Sequence, residues 1–359
     1  MGAISRIMIQ RLSLFVPGLL APVRSGERRH PIQAVNTQSL AEFFRHFRRR
    51  EPADLARAFA TLIGPSPWQD AAVLARSLQL PAARSWLFAA PVLLRPDHAG
   101  IYLLGSRPLQ VSIEEAATFC AELNPWLAQD GMCLYPVSAS RWLLALPENS
   151  GLTWTPLADA VGVDLRAVWP QGENALRWQS RLTEWQMLLN QSACNQQRQQ
   201  RGLPPAHAIW LWGNEASAGQ LSMDQSSTDQ AATDQAARDP APGVAKTAFS
   251  TNPQALPTTS DDFKRVSSVV ELLNTESTHA VVLEDGLVDA FSHGDVAGYE
   301  GSYARFLATV LAPLQASWQR GTIRELALYP DDGHVYLASV GHRWQFWRRA
   351  PLPAVMRNA

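Results

Sequence analysis

The sequence predicts an α/β protein: a mixed sheet flanked by helices, with a smaller α/β unit set within it and a C-terminal β-meander. Three observations lead there. Apolar stripes at helical spacing alternate along the chain with short apolar runs bounded by Pro and Gly. The 359 residues are 46% hydrophobic and 18% charged, enough core for roughly two folded units. The C-terminal segment breaks at Pro330–Gly333 and near Gly341 into three short strand-like pieces.

Leu12–Val16 reads as a first buried strand, with Pro17 and Gly18 as its exit turn. The apolar stretch around it, residues 12–23, is too short to span a bilayer and lacks a signal-type cleavage site. Ser39 and Glu42 have capping-box spacing, and Leu40, Phe43, Phe44 and Phe47 form a helical stripe. Arg45, His46, Arg48, Arg49 and Arg50 follow in and past its last turns. A basic amphipathic helix for phospholipid or nucleic acid fits them, as do cations complementing the helix dipole; a net charge of -1 favours the second.

Residues 91–105 read as two strands around a turn at Arg95, Pro96, Asp97 and His98. Ser112 and Glu115 repeat the capping-box spacing and open a helix expected to stop at Asn124 and Pro125. Arg141–Pro147 is another strand. Trp178, Leu182, Trp185 and Leu189 share one face of a helix beginning near Arg177. Gly202, Pro204 and Pro205 break the chain before a buried strand, Ala208–Trp212.

Residues 1–90 and 176–213 are therefore assigned to the main domain and 91–175 to the smaller unit. Residues 214–262 are expected to be a disordered linker, with Asp224, Asp229, Asp234 and Asp239 at a five-residue step that fits neither helix nor strand. Residues 263–359 complete the main domain. Within them, Asp261–Asn274 reads as a helix, His279–Gly286 as a strand, and Tyr303–Gly321 as a helix that Pro313 kinks or ends.

Reactive signatures are few. No GxSxG elbow, P-loop or GxGxxG occurs. Three cysteines, Cys120, Cys133 and Cys194, show no CxxC spacing and fit a reducing cytoplasm. Arg198 is placed to lower the pKa of Cys194, though no base accompanies that thiol. Asp285, Asp289, His293 and Asp295 form the densest group of potential metal ligands, but Gly286, Ser292 and Gly294 make the same stretch an ordinary polar loop. His334 and His342 read as solvated. In "RWQFWRR" (343–349) arginines and aromatics interleave, which suits a buried strand with cationic rims or base stacking.

The stretch "EWQMLLNQSACNQQRQQRGLPPAHAIWLWG", together with "LFVPGLL", "PVLLRPDHAGIYLL" and "RWQFWRR", resembles the RpfE-type regulatory proteins of proteobacteria, a group named for regulation of pathogenicity factors. Only the Asp-Gln linker lies outside the resemblance. The middle segment is also similar to one in archaeal-type, cofactor-independent phosphoglycerate mutases. Asn195, Arg198, Gly202, Pro205, Ala206 and Gly213 match, whereas Ser192, Ala193 and His207 depart from that pattern. The resemblance implies an alkaline-phosphatase-like scaffold. That superfamily's two-metal site needs an early Asp beside a Ser nucleophile, and here Pro17, Gly18, Leu19 and Leu20 follow the first strand.

The expectation is a cytoplasmic, non-catalytic regulatory or interaction protein on a degenerate mutase-like scaffold, with no cofactor and no membrane span. Its partner would be a protein or an anionic small molecule, in a groove near Asn195, Arg198, His207, Trp210 and Trp212. Arg198 would hold the anion and the indoles would wall the site; Trp210 and Trp212 as simple core residues is the competing reading. The alternatives are a phosphoglycerate-mutase-like phosphotransferase or phosphatase using an unrecognised metal site, and a nucleic-acid-binding regulator.

Overall fold

The first apolar run forms β1, Ile9–Phe15, which lies at the centre of a seven-stranded sheet. The computed structural model describes residues 9–22, 30–63, 70–98, 100–213, 215, 246–251, 264–340 and 356. Along the chain follow α1 (Gln38–Phe44), β2 (Arg48–Pro52), α2 (Leu55–Leu62), α3 (Ala71–Ser77), β3 (Ser85–Asp97) and β4 (Gly100–Gly105). Next are α4 (Ile113–Leu127), β5 (Cys133–Pro136), β6 (Trp142–Leu146), α5 (Leu157–Ala160), α6 (Leu165–Val168), α7 (Ala175–Gln191), α8 (Ala193–Gln200) and β7 (Ala208–Trp212). The remainder comprises β8 (Lys246–Ser250), β9 (Lys264–Arg265), α9 (Val269–Leu273), β10 (Ser277–Leu283), α10 (Val288–Ser292), α11 (Val296–Phe306), α12 (Ala312–Arg320), β11 (Ile323–Tyr329) and β12 (His334–Ser339).

The main sheet has the order β2-β12-β11-β1-β10-β8-β9. From β11 to β9 it is parallel, and the β12–β2 edge is antiparallel, so the α/β class is a mixed sheet. Parallel strands are covered on both faces, which is why β1 reads as one apolar run. Leu12, Leu14, Ala280 and Val282 pack under α1, α9, α11 and α12. Val281 and Leu283 pack with Leu55 and Phe59 of α2.

Residues between β2 and β8 build a second sheet, ordered β4-β3-β6-β5, with β7 also paired to β3. Nine of the 13 tryptophans fall between residues 70 and 215. Trp178 and Trp185 line one face of α7 as expected, with Trp154 edge-on to Trp178 at 5.3 Å. They cover one side of this sheet with α4. The indoles of Trp154, Trp178 and Trp185 bury a large apolar area between α7 and the sheet.

Several expectations are corrected. The strand 208–212, expected in the main domain, pairs antiparallel with β3 in the second sheet, and the preceding α7 joins that unit's core. The expected smaller unit of 91–175 is thus too short. Within the supposed linker, Lys246–Ser250 is a parallel strand beside β10, although most of the Asp-Gln segment lies outside the described residues. Ser39 does not cap α1. The helix starts earlier, Asn36 Oδ1 accepts from Gln38 N–H (2.9 Å), and Glu42 accepts from the Gln38 side chain. Arg48–Arg50 form edge strand β2 instead of extending that helix.

Pro125 sits inside α4, because burying Leu127 and clamping Asn124 against Leu134 N–H and C=O outweigh one lost backbone bond. The turn near residue 97 is tighter than expected, since Arg95 and Pro96 still pair with β4. Residues 264–265 are a strand, and α9 starts only at Val269, capped by Ser268. Ahead of Pro313 the helix passes through a π-helical stretch, Leu307–Leu311; proline has no N–H, so the register shift there forfeits little. The β11–β12 hairpin is present, while "RWQFWRR" and His342 lie outside the described residues.

Candidate functional site

Two regions carry the residues singled out by the sequence. In the first, α7 ends at Gln191 and Ser192 turns the chain into α8, its Oγ accepting from Asn195 N–H (3.2 Å). Buried Asn195 then ties the segment together. Its Nδ2 donates to the carbonyls of Leu189 (2.7 Å) and Ala206 (2.8 Å), and its Oδ1 accepts from Ala206 N–H (2.8 Å).

Arg198 is 0% exposed. Its guanidinium pairs with Glu115 and donates to the carbonyls of Leu109 and Pro204 (3.1 Å from Nη2). An anion therefore cannot reach it, and the role expected of Arg198 is replaced by that of a buried brace. Cys194 is likewise corrected. Burial, reinforced by Glu115 and Glu122, pushes its thiol up to about 11 despite Arg198 and Arg201. Trp210 is buried and donates from Nε1 to Thr155 O (3.1 Å), while Trp212 stacks on Phe88.

His207 differs. Its Nδ1 accepts from Leu94 N–H (3.1 Å), which places the ring proton on Nε2. Burial on one side holds its pKa below the usual value. His207 and Asn195 line a groove of about 300 Å³ between the β3–β4 hairpin and the α7–α8 corner. Of the five residues expected around one site, two line this groove; Arg198, Trp210 and Trp212 do not.

The second region is the loop 285–295, which faces the smaller unit across a cleft of about 550 Å³. Arg141 Nε lies 2.9 Å from Asp289 Oδ1, and Arg107 Nε 2.8 Å from Asp295 Oδ1. Asp295 also caps α11 by accepting from Gly298 N–H (2.9 Å). His293 is buried, with Nδ1 2.7 Å from Asp289 O and Nε2 3.1 Å from Ser140 O in the smaller unit. Burial is the main cause holding its pKa down. Asp285 is buried apart from the cleft and accepts from Thr251 (3.4 Å). Hence the four residues proposed as ligands do not converge: two carboxylates and the imidazole form cross-unit contacts instead. Among the described residues no three His, Cys, Asp or Glu side chains are arranged to hold a metal ion.

Sequence reading missed the other half of this region. Arg107 and Arg141 carry no local signal, because their partners lie far away in the chain, and Arg305 offers none beyond Ser302 three residues before it. Arg305 donates to Ser302 Oγ (2.9 Å) and has no carboxylate within ion-pair distance among the described residues. Near it, burial raises the Glu284 carboxyl to about 7, opposed by the Gly286 N–H. Just past β11, burial likewise lifts Asp331 to about 6 while it accepts from Gly18 N–H (3.0 Å), so the turn after β1 is held by a carboxylate from the loop after the adjacent strand. His334, read as solvated, contacts Arg49 and donates to its own loop, from its backbone N–H to Asp332 Oδ1 (3.1 Å) and from Nδ1 to Asp332 O (3.0 Å). Among the described residues no helix is long and apolar enough to cross a membrane.

The chain matches no family model, and no curated protein matches it. Among solved structures it is similar to the cofactor-independent phosphoglycerate mutase from Thermoplasma acidophilum, at 11% identity over 92% of this chain and 89% of that one, with a TM-score of 0.36. It is also similar to the PH0037 protein from Pyrococcus horikoshii, at 12% identity over 97% of this chain and 92% of that one, with a TM-score of 0.43.

Proposed function

We propose that this chain is a non-catalytic regulatory or interaction protein of the RpfE type, built on a degenerate mutase-like scaffold with an inserted smaller unit. Its ligand is a small anion held in the cleft between the units. One observation carries the reading: Asp289 and Asp295 are each neutralised by an arginine of the opposite unit, while Arg305 at the same cleft has no carboxylate within ion-pair distance among the described residues, Glu284 acting on it only from further away. A divalent cation would have to displace two ion pairs, whereas an anion meets a guanidinium held in no close ion pair among the described residues.

The competing reading is a phosphoglycerate-mutase-like phosphotransferase or phosphatase. Calorimetric titration with inorganic phosphate and with phosphoglycerate, alongside metal analysis and turnover with and without Mn²⁺, separates the two. The regulatory reading expects saturable anion binding that Arg305→Ala abolishes, and no turnover. Stoichiometric metal with turnover lost in Asp295→Ala establishes the enzyme instead.

A further inference from the structure

The groove beside His207 has a different chemistry from the cleft. No Asp, Glu, Lys or Arg lines it. A charged ligand would lose its hydration there without meeting a counter-charge, which disfavours ions of either sign.

What the groove offers is amides. Gln186 and Asn190 stand one helical turn apart on α7, and Gln199 projects from α8. None of their side chains hydrogen-bonds to another described residue, so three carboxamides present both a carbonyl and an NH₂ group unused. Asn195, the fourth amide, is fully engaged with Leu189 and Ala206 and serves as a rigid floor.

His207 adds one directed donor. Leu94 N–H occupies Nδ1, so the proton on Nε2 is the group left to offer. The opposite wall is Leu94, Pro96 and Ile101, and Ile101 is 45% exposed although it is a large apolar side chain. Apolar cover on one side and solvent-facing amides without protein partners among the described residues on the other match the two faces of an uncharged peptide group. A carboxamide pairs with another amide through two bonds, N–H to C=O in both directions, which a carboxylate cannot reproduce. At about 300 Å³ the groove takes two or three residues.

We propose that the groove formed by Gln186, Asn190, Gln199 and His207 is a recognition site for a short, uncharged peptide segment bearing a carboxamide. This second site stands independently of the cleft, and an Arg305→Ala chain binds the peptide unchanged.

The test uses the full chain and a blocked tripeptide with central glutamine, against the same peptide with central glutamate and against a neutral disaccharide. Binding is followed by NMR through the His207 ring resonances and by calorimetry. The expected result is saturable binding of the glutamine peptide with a shift at His207, and binding roughly tenfold weaker for the glutamate peptide. The double variant Asn190→Ala with Gln199→Ala, two exposed sites whose loss leaves the melting temperature unchanged, lowers affinity by at least about tenfold. Absence of saturable glutamine-peptide binding overturns the proposal, as do equal affinity for glutamate, preference for the disaccharide, or undiminished binding by the double variant.

Discussion

Arg198 and Arg141 each neutralise a carboxylate, yet they belong to different kinds of contact. Arg198 joins α8 to α4 and the Leu109 turn within the smaller unit, with no exposed surface. Arg141 reaches from the smaller unit to Asp289 of the main unit, and its partner remains partly solvated. A guanidinium sealed inside a unit needs every donor matched, because nothing else can solvate it. At the join between units Arg141 is itself 12% exposed, and it is the partner Asp289, 34% exposed, that keeps contact with water. The first arrangement sets the fold of a unit; the second sets how the units meet.

The largest effect expected from this contrast is at Arg198. Arg198→Ala leaves Glu115 with Arg201 as its remaining arginine and strips a buried donor from two carbonyls, and should cost about 3–4 kcal/mol in urea denaturation. A loss below about 1 kcal/mol would erase the distinction between brace and surface pair. Asn195→Ala removes three buried hydrogen bonds and should cost about 2–3 kcal/mol.

The third prediction moves to the main unit. Asp331 is raised in the folded state, so the folded chain binds its proton more tightly than the unfolded chain does. The stability it contributes is present below the ordinary carboxylate range and is lost as pH rises through about 6. Asp331→Asn should remove about 2 kcal/mol of that pH dependence between pH 4 and pH 8, measured by denaturation across the range. The smallest effect belongs to the join. Arg107→Ala with Arg141→Ala should change global stability by less than about 1 kcal/mol, while amide exchange around Ser138–Arg141 accelerates. Unchanged exchange would show that these pairs do not hold the units together.

Much of this was legible in the chain. The α7 stripe, the Ser112 capping box and the β3–β4 hairpin follow from periods of 3.6 and 2 and from local turn residues. The site was less legible. Asn195 and Arg198 stand out as polar residues among glutamines, but the same polarity serves a ligand or a neighbouring carbonyl, and the partners of Arg198 at 109 and 115 are some 80 residues upstream. The metal-like spacing of Asp285, Asp289, His293 and Asp295 is equally ambiguous, because Arg107 and Arg141, which pair with two of these carboxylates, are distant in sequence.

Local sequence by itself determined which segments are helices and strands over most of the chain, and which faces of them are apolar, because those depend on periodicity and on neighbours a few residues apart. Tertiary structure alone decided that β7 joins the second sheet, that Lys246–Ser250 is a strand, and which arginine meets which carboxylate. Those outcomes rest on pairings between distant segments, where the burial of one group is set by what the rest of the chain brings to it.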